Sequence, residues 1–221
     1  MAMDRESART ALQAAGRYMI EHDLTWGNAG NMSARTGEGR ALITASGTQL
    51  GELADEDLVE FVFSEQHRSE GGRRPSKERP MHRAVYEMRP EINAVLHAAP
   101  FYATLLACSA VEIPSDWFVE AMYYLERVAR VPYHHPGSEA LGEVVRSAAL
   151  SANVLLLDNH GVLVYDTSVR EALMALHTLE LTCRMAVTAR AAQLPIRSLS
   201  TDVVEDFLER SGYRPRREWP S

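Results

Sequence analysis

The sequence predicts a single α/β domain built around a mixed or antiparallel sheet. Three observations predict it. The chain of 221 residues suffices for one large domain and not for two ordinary ones. Stretches of helical and of extended periodicity alternate along it. Several extended stretches are joined by turns too short for the crossover that parallel strands need. No internal repeat, low-complexity segment or linker divides the chain, so the domain is expected to run over 1–221, with about 196–221 as a C-terminal tail.

From Asp4 to about His22, Ala8, Ala11, Leu12, Ala15 and Met19 recur at helical spacing. Gly27-Asn28-Ala29-Gly30-Asn31 ends that pattern. Asn31–Arg35 and Ala41–Ala45 read as strands of a hairpin around Thr36-Gly37-Glu38-Gly39. Leu53–Leu58 reads as a short acidic helix, Glu60–Phe63 as a strand, and His67–Pro75 as an exposed loop. A helix is expected from Ser76 to near Arg89-Pro90, because a residue before proline resists helical angles. Ala94–His97 follows as a buried strand, Phe101–Ser109 as a helix and Arg127–Tyr133 as a strand. Gly137-Ser138 opens a helix to about Leu150. Asn153–Leu157 and Val162–Tyr165 are apolar strands around Asp158-Asn159-His160-Gly161. Ser168 caps a long helix to Arg190, with Ala172, Leu173, Leu176, Leu179 and Met185 inward. The tail from Ser200 holds a short amphipathic piece.

Composition narrows the function classes. With 46% hydrophobic and 24% charged residues, the chain is neither disordered, collagen-like nor a coiled-coil rod. A net charge of −7 provides no broad basic field for nucleic acid. No apolar run reaches the roughly 18 residues a membrane span needs. The first residues, Met1 to Glu6, form no apolar signal-peptide core, which predicts a cytoplasmic protein. Cys108 and Cys183 sit in apolar helical patterns and read as buried thiols rather than a bridge. Only one lysine, Lys77, is present, so an imine mechanism has a single candidate nucleophile, and its polar setting argues against the apolar pocket such a lysine needs.

Three clusters could carry chemistry. Gly27 to Ser33, together with Thr44-Ala45-Ser46-Gly47, can form a phosphate nest, since glycine lets backbone N–H groups approach an anion; the same residues also suit a pair of tight turns. Pro75-Ser76-Lys77-Glu78 lies at an expected helix N-terminus, which favours an anion and places a carboxylate in the same region, although an ordinary cap has the same composition. Among eight histidines, His22 and His67 read as surface residues, His177 as helical and His82 as a satisfied core or interface group. His97, His160 and the pair His134-His135 stand at the ends of expected strands, where a metal site would need them.

The order of these pieces resembles the class II aldolase/adducin family. It is carried by Gly30-Asn31-Met32-Ser33, Ile43-Thr44-Ala45-Ser46-Gly47, Pro75-Ser76-Lys77-Glu78 with His82, Ala94-Val95-Leu96-His97 and Asn159-His160-Gly161-Val162, spread from about Asp4 to Arg190. The resemblance implies a three-layer α/β/α fold with a central mixed, largely antiparallel sheet, and a homotetramer with sites at subunit interfaces. It implies a divalent metal, zinc first, with His97 and His160 as ligands. It assigns substrate phosphate to Asn31, Ser46, Gly47, Ser76 and Lys77, and proton transfer to Glu78. Two departures stand out. Ala99 occupies the place of the second histidine of a His-x-His pair, with His135 the first replacement and His134 or Glu78 the others. Lys77 occupies the place of a second serine, and can hold a phosphate or a carboxylate as a point charge.

The implied activity is metal-assisted, reversible aldol cleavage of a small ketose phosphate or related hydroxy-keto compound through an enediolate. Decarboxylation, dehydration and epimerisation are the near alternatives. A non-catalytic, adducin-like binding protein is the distant one, favoured by Ala99 and opposed by the retained His97, His160 and Glu78.

Overall fold

Side chains alternate across one seven-stranded sheet so that both of its faces are apolar, and helices cover each. The computed structural model describes residues 3–64, 72–214, 217 and 219. Its elements are α1 (Arg5–Glu21), β1 (Asn31–Gly37), β2 (Arg40–Thr44), β3 (Leu58–Val62), α2 (Arg79–Met88), β4 (Ala94–Ala98), α3 (Phe101–Ala107), α4 (Val119–Tyr124), β5 (Val128–Val131), α5 (Glu139–Ala149), β6 (Val154–Leu157), β7 (Gly161–Asp166), α6 (Val169–Ala191) and α7 (Thr201–Arg210). The strand order is β3-β2-β1-β4-β7-β6-β5. Every neighbouring pair is antiparallel except β5–β6.

One core gathers Met32, Leu42, Leu96 and Val164 from the sheet with residues of α1, α3 and α6. The other gathers Ile43, Val95, Leu155 and Leu163 with residues of α2 and α5. Each fully buried Leu or Val contributes about 1.5–3 kcal/mol relative to exposure, so the two apolar faces drive the three-layer arrangement. Three helix starts follow from capping side chains. Asp4, Ser138 and Ser168 accept from the N–H of Ser7, Leu141 and Glu171 at 2.9, 3.1 and 3.1 Å. Among the described residues no helix is long and apolar enough to cross a membrane.

Several expectations need correction. The stretch 53–58 is no helix: 3₁₀ turns occupy Leu50–Glu52 and Asp55–Asp57. The Asp57 carbonyl accepts from Ala45 N, and its side chain accepts from Ala54 N, so this backbone is committed to starting β3. Helix α2 begins at Arg79 rather than Ser76, leaving Ser76 and Lys77 in the turn before it. Met185 lies on the exposed side of α6, while Ala172, Leu173, Leu176 and Leu179 are buried. Cys108 is exposed at the end of α3, and only Cys183 is buried. Helix α4 has no counterpart in the sequence reading, because six residues are too few to display a helical period. Residues 65–71, and with them His67 and much of the expected loop, lie outside the described residues.

Candidate active site

The sheet register gathers the candidate residues at one end. Asn31 opens β1 directly opposite His97, Ala98 pairs with Val162, and His160 sits in the turn that leads into β7. Two glycines let these strand ends close. A Cβ on Gly30 (φ +84°) would lie 2.5 Å from the His97 carbonyl oxygen, and one on Gly161 would lie 2.6 Å from that of Ala98. Glu78, the residue before α2, reaches the same point from the neighbouring layer.

There the His97 Nε2 lies 3.3 Å from Glu78 Oε2, and the His160 Nε2 lies 3.0 Å from Glu78 Oε1. The two imidazole rings are 4.7 Å apart between centroids. Asn31 Nδ2 donates to Glu78 Oε2 at 2.7 Å. Burial raises the Glu78 carboxyl, but the charges of His97 and His160 and the Asn31 amide outweigh it and hold the pKa at about 2. Burial also pushes His97 below its ordinary value, toward the neutral ring. His97 Nδ1 lies 2.9 Å from the Val162 carbonyl, which can only accept, so Nδ1 carries a proton and Nε2 is the atom turned to Glu78.

The Glu78 carboxylate and the two Nε2 atoms facing it need a positive charge among them, either a ring proton or an entering cation. Ligand atoms of Glu78, His97 and His160 all fall within 4.8 Å of one another, and each carboxylate oxygen of Glu78 faces an imidazole Nε2. Two imidazole nitrogens and a carboxylate oxygen fit a divalent cation, zinc among others.

This triad floors a cleft of about 470 Å³ that is also lined by Asn31, Ser46, Gly47, Ser76 and Lys77. Eight of the nine sequence candidates therefore share one space. Ser46 N and Oγ are tied to the carbonyls of Arg74 and Pro75 at 2.9 and 3.1 Å, which joins the 44–48 turn to the segment entering α2. Ser76 Oγ accepts from Glu78 N at 3.2 Å. Lys77 is exposed at the rim. His135 stands apart. It is exposed, its Nδ1 is 3.3 Å from the Tyr133 hydroxyl, and within one chain Glu78 rather than His135 joins the histidine pair. Trp26 and Thr48 also line the cleft; the Gly-Asn run beside Trp26 was the available signal. Ala99 lines it too, two residues beyond His97.

The class II aldolase and adducin N-terminal domain family matches residues 10–187, and the chain belongs to this family. It is 34% identical over 200 residues to the 3-oxo-tetronate 4-phosphate decarboxylase of Haemophilus influenzae, covering 88% of this chain and 93% of the relative. It is 29% identical over 192 residues to the L-fuculose phosphate aldolase of Escherichia coli, covering 87% and 88%. Among solved structures, YgbL of Klebsiella pneumoniae superposes with a TM-score of 0.84 at 30% identity, over 93% of this chain and 99% of that one. An L-fuculose 1-phosphate aldolase gives a TM-score of 0.85 at 26% identity, over 96% and 99%.

Proposed function

We propose that this family member is a divalent-metal-dependent carbon–carbon lyase that cleaves a small phosphorylated ketose or hydroxy-keto compound beside its carbonyl. The observation that carries the reading is the convergence of His97, His160 and Glu78 on one point of the cleft. A bound divalent ion, zinc in the first instance, supplies the fixed positive charge that an enediolate needs.

The chain's own residues do the rest. His97 and His160 hold the ion, with Glu78 as the third ligand within the chain and His135 as the alternative. Glu78 moves the carbon-bound proton between substrate and solvent. Asn31 fixes that carboxylate. Ser46, Gly47, Ser76 and Lys77 hold the phosphate, Lys77 as a point charge, so that the reacting end is positioned. Aldol cleavage releases an aldehyde. Loss of carbon dioxide from a 3-oxo acid leaves an enediolate of the same kind, and the 34% identity to a decarboxylase supports that second outcome. The reading extends to a homo-oligomer, supported by Trp26, Phe101 and Leu181, exposed together around a second cleft beside the first, and keeps the cytoplasmic location expected from the sequence.

Purified chain loaded with Zn²⁺ and offered L-fuculose 1-phosphate and 3-oxo-tetronate 4-phosphate tests this. Release of aldehyde or of carbon dioxide, abolished by a chelator and restored by Zn²⁺, is expected. Absence of both, or turnover indifferent to chelation, overturns it. Metal content of His135→Ala decides the third ligand: it is unchanged if Glu78 completes the set.

A further inference from the structure

Behind Glu78 runs a series of buried hydrogen bonds of which the proposed chemistry uses only the last, from Asn31. Glu78, His82 and Tyr86 recur every four residues and so follow one face of the turn and helix α2. Asn31 and Ser33 lie two apart on β1 and share the face of the sheet toward that helix. The two spacings interleave. Tyr86 Oη lies 2.8 Å from Ser33 Oγ, and Ser33 Oγ 2.7 Å from His82 Nδ1. His82 Nε2 lies 2.6 Å from Asn31 Oδ1, and Asn31 Nδ2 2.7 Å from Glu78 Oε2. Ser33, His82 and Tyr86 are all buried.

Donors and acceptors allow one reading of this series. A carboxylate only accepts, so Asn31 turns its NH₂ to Glu78 and its carbonyl to His82. That carbonyl also only accepts, so His82 carries its proton on Nε2. Its Nδ1 is then an acceptor, filled by the Ser33 hydroxyl, whose lone pair in turn receives the Tyr86 O–H.

We propose that His82 is a positioning residue. As the Nε2–H tautomer required by the Asn31 carbonyl and supported by the Ser33 and Tyr86 hydroxyls, it locks the Asn31 amide, which pins one oxygen of Glu78 and leaves the other facing His160. The inference builds on the role given to Glu78 above. Without His82 the Asn31 carbonyl loses its donor, the amide is held only by its bond to Glu78, and the carboxylate is fixed less firmly against the histidine pair.

The test uses full-length protein and two readouts that need no substrate. ¹⁵N-histidine NMR at neutral pH is expected to show His82 protonated on Nε2; an Nδ1–H ring overturns the proposal. His82→Leu is expected to weaken Co²⁺ binding and lower kcat by about 10–100-fold while KM moves by less than about threefold. His82→Gln, whose amide nitrogen can take the place of Nε2, is expected to recover most of that loss. Equal losses in the two variants, or a loss confined to KM, overturn it. Should His82→Leu fail to fold, Tyr86→Phe removes only the terminal hydroxyl and is expected to raise an Nδ1–H population; a pure Nε2–H ring there overturns the support given by Tyr86. If neither phosphate compound turns over, the proposed function falls while the tautomer and Co²⁺ readouts still decide this inference.

Discussion

Strand β7 carries a buried charged cluster at each end, and the two are solved differently. At its far end Asp166 meets Arg217, both side chains about 1% exposed, with Nη2 2.5 Å from Oδ2. Arg217 Nη1 also donates to the Tyr123 carbonyl at 2.6 Å, its guanidinium lies 4.9 Å from the Tyr123 ring, and Thr167 N donates to the other Asp166 oxygen at 2.7 Å. Both carboxylate oxygens are satisfied and the pair is closed to solvent. At the near end Glu78 faces imidazoles rather than a guanidinium, and the cluster opens on a cleft. An arginine neutralises a buried carboxylate permanently, since its charge cannot be removed. Histidine nitrogens leave the neutralising charge to something that can enter. The contrast separates a closed ion pair from an open candidate site.

Substitutions can break that contrast. The largest effect is expected from Glu78→Gln, which should lower kcat by about 10²–10⁴-fold, the range for loss of a positioned acid–base group, with little change in thermal midpoint. Steady-state assay and a melting curve on the same preparation check it; a melting loss comparable to the kinetic one would make Glu78 a structural residue. Arg217→Ala should do the reverse. It leaves Asp166 buried and unpaired and should cost about 3–5 kcal/mol in denaturant unfolding, while activity per folded molecule is kept.

Acid should divide the groups by pH. His82, driven down to about 3 by burial, is neutral when folded and protonates when unfolded. Its contribution is complete above pH 6.5 and is lost as pH falls toward 3, at about 1.4 kcal/mol per pH unit. His97 is depressed by burial too and acts in the same sense. Glu78 contributes fully above its ordinary value of 4.5 and loses its share only as pH falls toward about 2. The stability of metal-free protein should therefore fall already between pH 6.5 and 4.5, and His82→Gln should flatten that limb. A flat wild-type limb would show that these rings are not buried neutral. The smallest effect is expected from Lys77→Ala: KM for the phosphorylated substrate up by about tenfold with kcat kept.

Much of the fold was legible because long periodic segments announce themselves. The apolar spacing through α1 and α6, the capping Ser138 and Ser168, and the hairpin around Gly37–Gly39 all depend on neighbours in sequence. Segments decided by distant partners were misread. The acidic stretch at 53–58 looked helical, but its backbone is drawn into pairing with Ala45. Met185 fits the helical period of α6, yet that helix turns the residue outward. In the site, His97, His160 and Glu78 were each visible as residue types at strand or helix ends. The series from Tyr86 to Glu78 was written in the spacings 78/82/86 and 31/33, which gain meaning only once helix and strand are known to face each other.

The sequence by itself determined the alternation of helices and strands and the candidate residues, because periodicity, caps and turn chemistry act over a few residues. Tertiary structure alone decided which candidates share one space. It placed Glu78 beside the histidine pair while leaving His135 outside, and it selected one tautomer for His82. Those outcomes depend on the register of β1, β4 and β7 and on the packing of α2 over them, contacts between residues tens of positions apart that no local pattern encodes.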